Sequence, residues 1–146
     1  MSYTDFFAQF LRVEIELWNS LTAHLSAEVG ISLPQLQALS AIDKLDGAAR
    51  VQDVSDEMVI TVGATSKLVD RLERDGYAER RSNPGDRRSS NIVLTESGER
   101  FLREGVAATE VHLRRLLEGS FSESRAAELA KELSALRAQL PGTVTV

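Results

Sequence analysis

The sequence predicts a mainly α-helical fold with one small β-hairpin, and three observations carry that expectation. Apolar residues recur every three or four positions through most of the 146 residues. One segment, Tyr77 to Leu94, reads as two strands around a turn. Ser, Thr, Gly and Pro stand where helices must start or stop. No tandem repeat, low-complexity tract or Ser/Pro-rich linker interrupts the pattern.

The first helix is expected from Tyr3 to about Val29. Phe6, Phe10, Val13, Leu17, Leu21 and Leu25 form one apolar stripe, and Phe7, Leu11, Ile15 and Trp18 form a second beside it. So wide an apolar face exceeds what a surface helix of one small domain needs. Ser32-Leu33-Pro34-Gln35 then has the capping-box pattern, with Pro early in the helix, and Leu45-Asp46-Gly47 supplies the stop.

A short helix from Val51 to Met58 follows, and the link Val59-Ile60-Thr61 has the length of a helix-turn-helix connection. Val59 fills a turn position that is often Gly. The next helix, 62 to 75, takes Thr61 as N-cap and Gly76 as its left-handed C′ residue. Val62, Leu68, Val69 and Leu72 are expected to face the core, with Thr65, Ser66, Lys67 and Arg71 on or beside the opposite face. Asp70 and Glu73 are read as partners for Arg74 or Arg71. Gly63 in the first turn costs up to ~1 kcal/mol relative to Ala, but a residue with no side chain allows close approach to DNA.

The hairpin is expected to run from Tyr77 to Ser82, turn at Asn83-Pro84-Gly85-Asp86, and return through Asn91 to Leu94. Pro84 presets φ, and Gly85 allows the positive φ of a type II turn. Asp86, Arg87, Arg88, Ser89 and Ser90 then fill a tip carrying two guanidinium groups. Such a tip suits a minor groove, whose negative potential attracts Arg. Helix, turn, helix and hairpin together make a winged helix-turn-helix.

Thr95 caps the following helix, with Glu96 at its positive end, and Phe101, Leu102, Val106, Leu113, Leu116 and Leu117 continue an apolar face to about Glu118. After a break at Gly119 to Ser122, Ser122 or Ser124 starts a last helix. It carries Ala126, Leu129, Leu133, Leu136 and Leu140 and ends before Pro141-Gly142. Long apolar helices at both ends favour an intertwined dimer. The organisation expected is therefore residues 1–31 as an N-terminal dimerisation helix, 32–98 as the winged helix-turn-helix, and 99–146 as C-terminal dimerisation helices.

Five runs in order, Val69-Asp70-Arg71-Leu72-Glu73, Gly76-Tyr77, Arg80, Asn83-Pro84-Gly85-Asp86-Arg87-Arg88 and Leu94-Thr95-Glu96-Ser97-Gly98, resemble the MarR family of bacterial transcriptional regulators. The resemblance is densest from about residue 32 to residue 98. It implies a homodimer on a pseudo-palindromic operator, with helix 62 to 75 in the major groove and the wing in the minor groove. Ser66, Lys67 and Arg71 occupy positions where the family's recognition helix meets DNA. Arg88 matches the wing-tip minor-groove residue, Arg87 is placed to reach a phosphate, and Asp86 matches an acid that shapes the wing loop. The resemblance further implies repression by operator occupancy, relieved by a small aromatic or phenolic effector. Trp18, His24 and His112 are read as packing or surface residues, and no ligand site is assigned.

Other function classes find little support. Cysteine is absent, which excludes disulfides, thiolate catalysis and thiol-based peroxide sensing. The two histidines, His24 and His112, lack partners at ligand spacing, so no metal site or cofactor is expected. The chain offers no Gly-rich phosphate loop, nucleophile elbow or His-Glu-x-x-His, and is not expected to be an enzyme. No apolar run approaches the ~20 residues of a membrane span, and the N-terminus lacks a basic leader, so a cytoplasmic location is expected. The net charge of −5 divides unevenly: residues 62 to 90 carry seven Lys or Arg against five acids. An acidic body with a basic edge orients that edge toward phosphates. The competing expectation is a winged-helix module that assembles with protein and does not bind DNA.

Overall fold

The computed structural model describes residues 1–83 and 85–142, with only the backbone of Arg87 and Arg88. The element order is α1 (Tyr3–Glu28), α2 (Leu33–Lys44), α3 (Val51–Met58), α4 (Val62–Arg74), β1 (Ala78–Asn83), β2 (Asp86–Leu94), α5 (Glu96–Leu117) and α6 (Glu123–Gln139). This is the mainly α winged helix-turn-helix that the sequence predicts. The chain forms two compact units, one from Met1 to Thr109 and one from Glu110 onward.

Helix ends follow from side chains able to satisfy orphan backbone groups. Ser2 and Asp5 form a capping box on α1. Ser32 and Gln35 do so on α2, where the Gln35 N–H donates to Ser32 Oγ and the Ser32 N–H to Gln35 Oε1. The Ala64 N–H donates to Thr61 Oγ1 at the start of α4, the Gly98 N–H to Thr95 Oγ1 in α5, and the Arg125 N–H to Ser122 Oγ in α6. At the end of α4 the Tyr77 N–H reaches the Leu72 carbonyl at 2.8 Å and the Gly76 N–H reaches Glu73 at 3.0 Å. With Gly76 at φ +81° this is a Schellman reversal, and it throws the chain directly into β1.

The core of the first unit gathers Leu21 and Leu25 of α1, Leu36, Leu39 and Ile42 of α2, Val54 of α3, Leu68, Val69 and Leu72 of α4, and Ile92 of β2. The module thus closes around α2, and only the C-terminal part of α1 joins it. From Tyr3 to Trp18 the large apolar residues of α1 other than half-buried Leu17 are left exposed, among them Phe6, Phe7, Phe10 and Ile15.

Two features of the wing differ from expectation. The return strand starts at Asp86, five positions before Asn91, so Arg87 and Arg88 belong to β2 and not to a loop ahead of it. Ser82 pairs with Ser90 and Asn83 with Asp86, so β2 carries residues 87 to 89 between two pairs that are adjacent on β1. The ladder is irregular at this point. The Gly85 N–H donates to Asn83 Oδ1 at 3.2 Å, an Asx closure, while the expected type II turn rests on Pro84. Pro84 lies outside the described residues.

The wing's base is tied down from two sides. The Ile92 N–H donates to the Ala49 carbonyl at 2.7 Å, so the segment before α3 adds a one-residue third strand. On the other side α5 starts so close that a Cβ on Gly98 would stand 1.9 Å from the Tyr77 carbonyl oxygen. Only glycine fits there. The Tyr77 ring packs on Phe101 with centroids 4.4 Å apart, closing this corner.

A candidate nucleic-acid interface

The turn between α3 and α4 is held by Ser55. Its buried hydroxyl donates to the Ile60 carbonyl at 2.6 Å. The chain bends at Val59, which sits at φ 57°, ψ 42°, the left-handed region where a β-branched side chain is strained. Val59 therefore occupies the Gly-favouring turn position in the very conformation that favours Gly.

From this turn α4 projects with one face inward. Leu68, Val69 and Leu72 are buried, but the fourth inward residue is Thr65 and not Val62. Thr65 is 0% exposed, and its Oγ1 donates to the Thr61 carbonyl at 2.9 Å. Its inclusion among DNA-contacting side chains is therefore corrected: satisfied within its own helix, Thr65 is a core residue. Val62 is 40% exposed, so its assignment to the core is likewise corrected. The helical period explains both, because Thr65 lies within the arc of Leu68, Val69 and Leu72, whereas Val62 lies at its margin.

Lys67 and Arg71 are exposed and Ser66 is half-buried on the outward side of α4. Gly63 is exposed, and an added Cβ there would meet nothing within 4 Å. The backbone is thus open to approach at this point.

The cations between residues 62 and 90 whose side chains are described separate into two groups. Arg80 of β1 donates through Nη2 to Asp70 Oδ1 at 2.6 Å and through Nη1 to Glu73. The Asp70 hydrogen bond, outweighing partial burial, raises the Arg80 pKa, with Glu73 adding to it. Arg81 pairs with Glu79 at 2.6 Å and Arg74 with Asp75 at 3.4 Å. Lys67 and Arg71 have no acid partner among the described residues. Three arginines are therefore paired with acids, while the two cations of the outward face are left without an acid partner among the described residues.

Asp70 and Glu73 thus serve the wing arginine, where the sequence suggested Arg74 or Arg71. Sequence spacing gives no sign of this. Arg80 stands beyond the Gly76 reversal, so it meets the helix only once the chain has folded back. Asp86 pairs across the turn with Asn83. The side chains of Arg87 and Arg88, expected in the minor groove, lie outside the described residues.

Two faces thus share one side of the first unit: an outward helix face with uncompensated cations, and a hairpin fixed to that helix by Arg80. A helix face and a hairpin are the two kinds of element that enter DNA grooves. Among the described residues no helix is long and apolar enough to cross a membrane.

Comparison with known proteins agrees with this geometry. The model of the MarR family matches residues 29–89. The HTH-type transcriptional regulator YfiV of Bacillus subtilis is 31% identical over 91 residues, 62% of this chain and 56% of YfiV, so the chain spans little more than half of that relative. Sco3205 of Streptomyces coelicolor, a MarR family transcriptional regulator solved in complex with DNA, superimposes with a TM-score of 0.83 at 18% identity, covering 97% of this chain and 94% of its own. CouR of Rhodococcus jostii RHA1, solved with p-coumaroyl-CoA, gives a TM-score of 0.81 at 20% identity over 94% of both chains. At these identities the two structures establish the shared fold.

Proposed function

The chain belongs to the MarR family, and from that premise we propose that it is a transcriptional repressor that binds a pseudo-palindromic operator as a homodimer. The single observation that carries this reading is the sorting of charge on the reading edge. Arg74, Arg80 and Arg81 are consumed by neighbouring acids, while Lys67 and Arg71 stand exposed on the outward face of α4. A module built for protein assembly has no need to keep two desolvation-costly cations unpaired beside a Gly that opens the backbone. A DNA reader needs both.

In this reading α4 enters the major groove, with Gly63, Ser66, Lys67 and Arg71 at base edges or phosphates. The wing lies in the adjacent minor groove, where Arg88 follows the narrow-groove potential and Arg87 takes a phosphate. Pro84, Gly85 and Asp86 set the shape of that projection. Residues 1–31 and 99–146 supply the dimer interface. Support comes from the exposed apolar residues Phe6, Phe10, Val13 and Ile15 of α1, Leu133 and Leu136 of α6 and Leu140 just beyond it, which a lone subunit would leave in water. A two-fold dimer presents two copies of α4, and half-sites one helical turn apart, roughly 34 to 36 Å, fit that symmetry.

Repression follows from occupancy of the operator in the cytoplasm. Relief follows if a small aromatic or phenolic effector binds best to a dimer whose two α4 helices misfit the half-site spacing. CouR, crystallised with an aromatic acyl thioester, supports an effector of this kind. Trp18 fluorescence during titration with salicylate-like compounds tests the effector, and a flat response across them opposes Trp18 as its reporter.

Light scattering of the protein alone and with a duplex from the DNA flanking its own gene tests the whole reading. Two chains alone and two chains on one duplex are the expected masses. A monomer at micromolar concentration, or a folded dimer that leaves the duplex free, contradicts it.

A further inference from the structure

Most large apolar side chains exposed among the described residues lie in the terminal helices. Only Val59, Ile60 and Val62, exposed by 51, 38 and 40%, fall between residues 32 and 98, and all three meet at the α3–α4 corner. This corner is where a helix-turn-helix presents the N-terminal residues of its second helix to base edges. A β-branched Val59 held at φ 57° marks the same corner as one where local strain is tolerated, as at binding sites.

The chemistry of the first turn of α4 is one-sided. Val62, Gly63 and Ala64 are all exposed, and none carries a side-chain hydrogen-bond donor or acceptor. Thr65, the next residue, is buried with its hydroxyl bonded to Thr61. Polar reading therefore begins only at Ser66 and Lys67. A hydrogen-bonding base edge set against Val62 would be left unpaired and desolvated, which is unfavourable. The one major-groove feature that an isopropyl group satisfies is the 5-methyl group of thymine.

We propose that Val62 selects thymine at one position of each half-site by apolar contact with its 5-methyl group, and that Gly63 lets the helix sink far enough for that contact. The proposal rests on the reading of α4 as a major-groove helix and names what its first turn recognises. Ser66, one helical turn beyond Val62 on the same flank, continues the readout with a hydroxyl.

The test starts from duplexes selected out of a random-sequence pool by the intact protein. Each thymine of the selected half-site is then replaced in turn by deoxyuridine, which removes only the methyl group. Affinity is measured for the parent and for Val62→Ala, an exposed substitution that raises helix propensity and leaves the core untouched. At one thymine the parent loses about fourfold in affinity, the worth of one buried methyl group, and Val62→Ala is indifferent to the same replacement. Deoxyuridine tolerated at every position overturns the proposal while leaving DNA binding intact. Equal sensitivity in parent and variant also overturns it, because the methyl is then read by another residue. Failure to select any sequence overturns the major-groove reading itself and this inference with it.

Discussion

Arg80 of β1 grips Asp70 of α4 at 2.6 Å and reaches Glu73 one turn on, so one guanidinium joins the wing to the helix beside it. The contact does two things at once. It fixes the wing against the helix that, in the proposed reading, lies in the adjacent groove, and its charge offsets one of two carboxylate charges that would otherwise repel phosphates.

Replacing Arg80 with Ala is therefore expected to harm DNA binding more than folding. The pair is partly exposed, with Arg80 and Asp70 side chains 30% and 63% accessible, so the stability loss should be only about 1 kcal/mol. Operator affinity should fall tenfold or more, because two acids are released beside the phosphates and the wing loses its register. Anisotropy titration alongside thermal melting separates the two effects, and an unchanged affinity would show that the wing is positioned by other means.

Thr65 and its neighbours on α4 should part company. Thr65→Val keeps the buried shape and loses a hydroxyl that serves only its own helix, so operator affinity should stay within about twofold of the parent. Lys67→Ala and Arg71→Ala should each weaken binding by ~1 to 3 kcal/mol if the lost contact is a bidentate base contact. A Thr65→Val protein that melts normally yet cannot bind DNA would restore Thr65 to the interface.

Gly98 and Gly105 give a controlled comparison within α5. A Cβ on Gly98 meets the Tyr77 backbone carbonyl at 1.9 Å, whereas one on Gly105 meets the δ-methyl groups of Leu36, the nearer at 2.6 Å. Backbone cannot swing aside as a side-chain end can. Gly98→Ala should cost on the order of 3 kcal/mol and Gly105→Ala about 1 kcal/mol. Equal melting temperatures for the two variants would mean that the start of α5 can retreat from the wing.

Val59→Gly should stabilise the fold. A left-handed conformation costs a non-glycine residue ~1 to 2 kcal/mol, partly offset by the extra chain entropy of Gly, leaving a net gain below about 1 kcal/mol. Chemical denaturation reads this directly, and a loss of stability would show that the exposed isopropyl group makes contacts worth more than the strain.

Much of this fold was legible because local rules and tertiary packing agree. Ser32 with Gln35, Thr61, Thr95, Ser122 and Gly76 each stop or start a helix as a cap or reversal residue should, and the predicted inward residues Leu68, Val69 and Leu72 of α4 are core. What escaped the sequence depends on chain reversal. Arg80 meets Asp70 only because the Schellman turn at Gly76 folds the wing back onto α4. Ala49 bridges Ile92 across a long sequence separation. The length of β2 was missed because Asp86-Arg87-Arg88-Ser89-Ser90 is polar and reads as loop, while the ladder is irregular there. Thr65 and Val62 exchange places because helical phase outranks hydrophobicity on α4. A Thr whose hydroxyl can bond back to its own helix is an acceptable core residue.

The central claim, that α4 and the wing grip DNA through cations left uncompensated by the fold, is tested most directly by fluorescence anisotropy over a salt series with operator DNA, comparing the parent with Lys67→Ala. Each phosphate neutralised contributes about −0.9 to the log–log salt slope, so loss of a phosphate-contacting lysine in both half-sites should flatten the slope by about 2. A steep slope for the parent and a flatter one for the variant is the result the account predicts. Binding that is indifferent to salt, or a slope unchanged by Lys67→Ala and by Arg71→Ala, would contradict it.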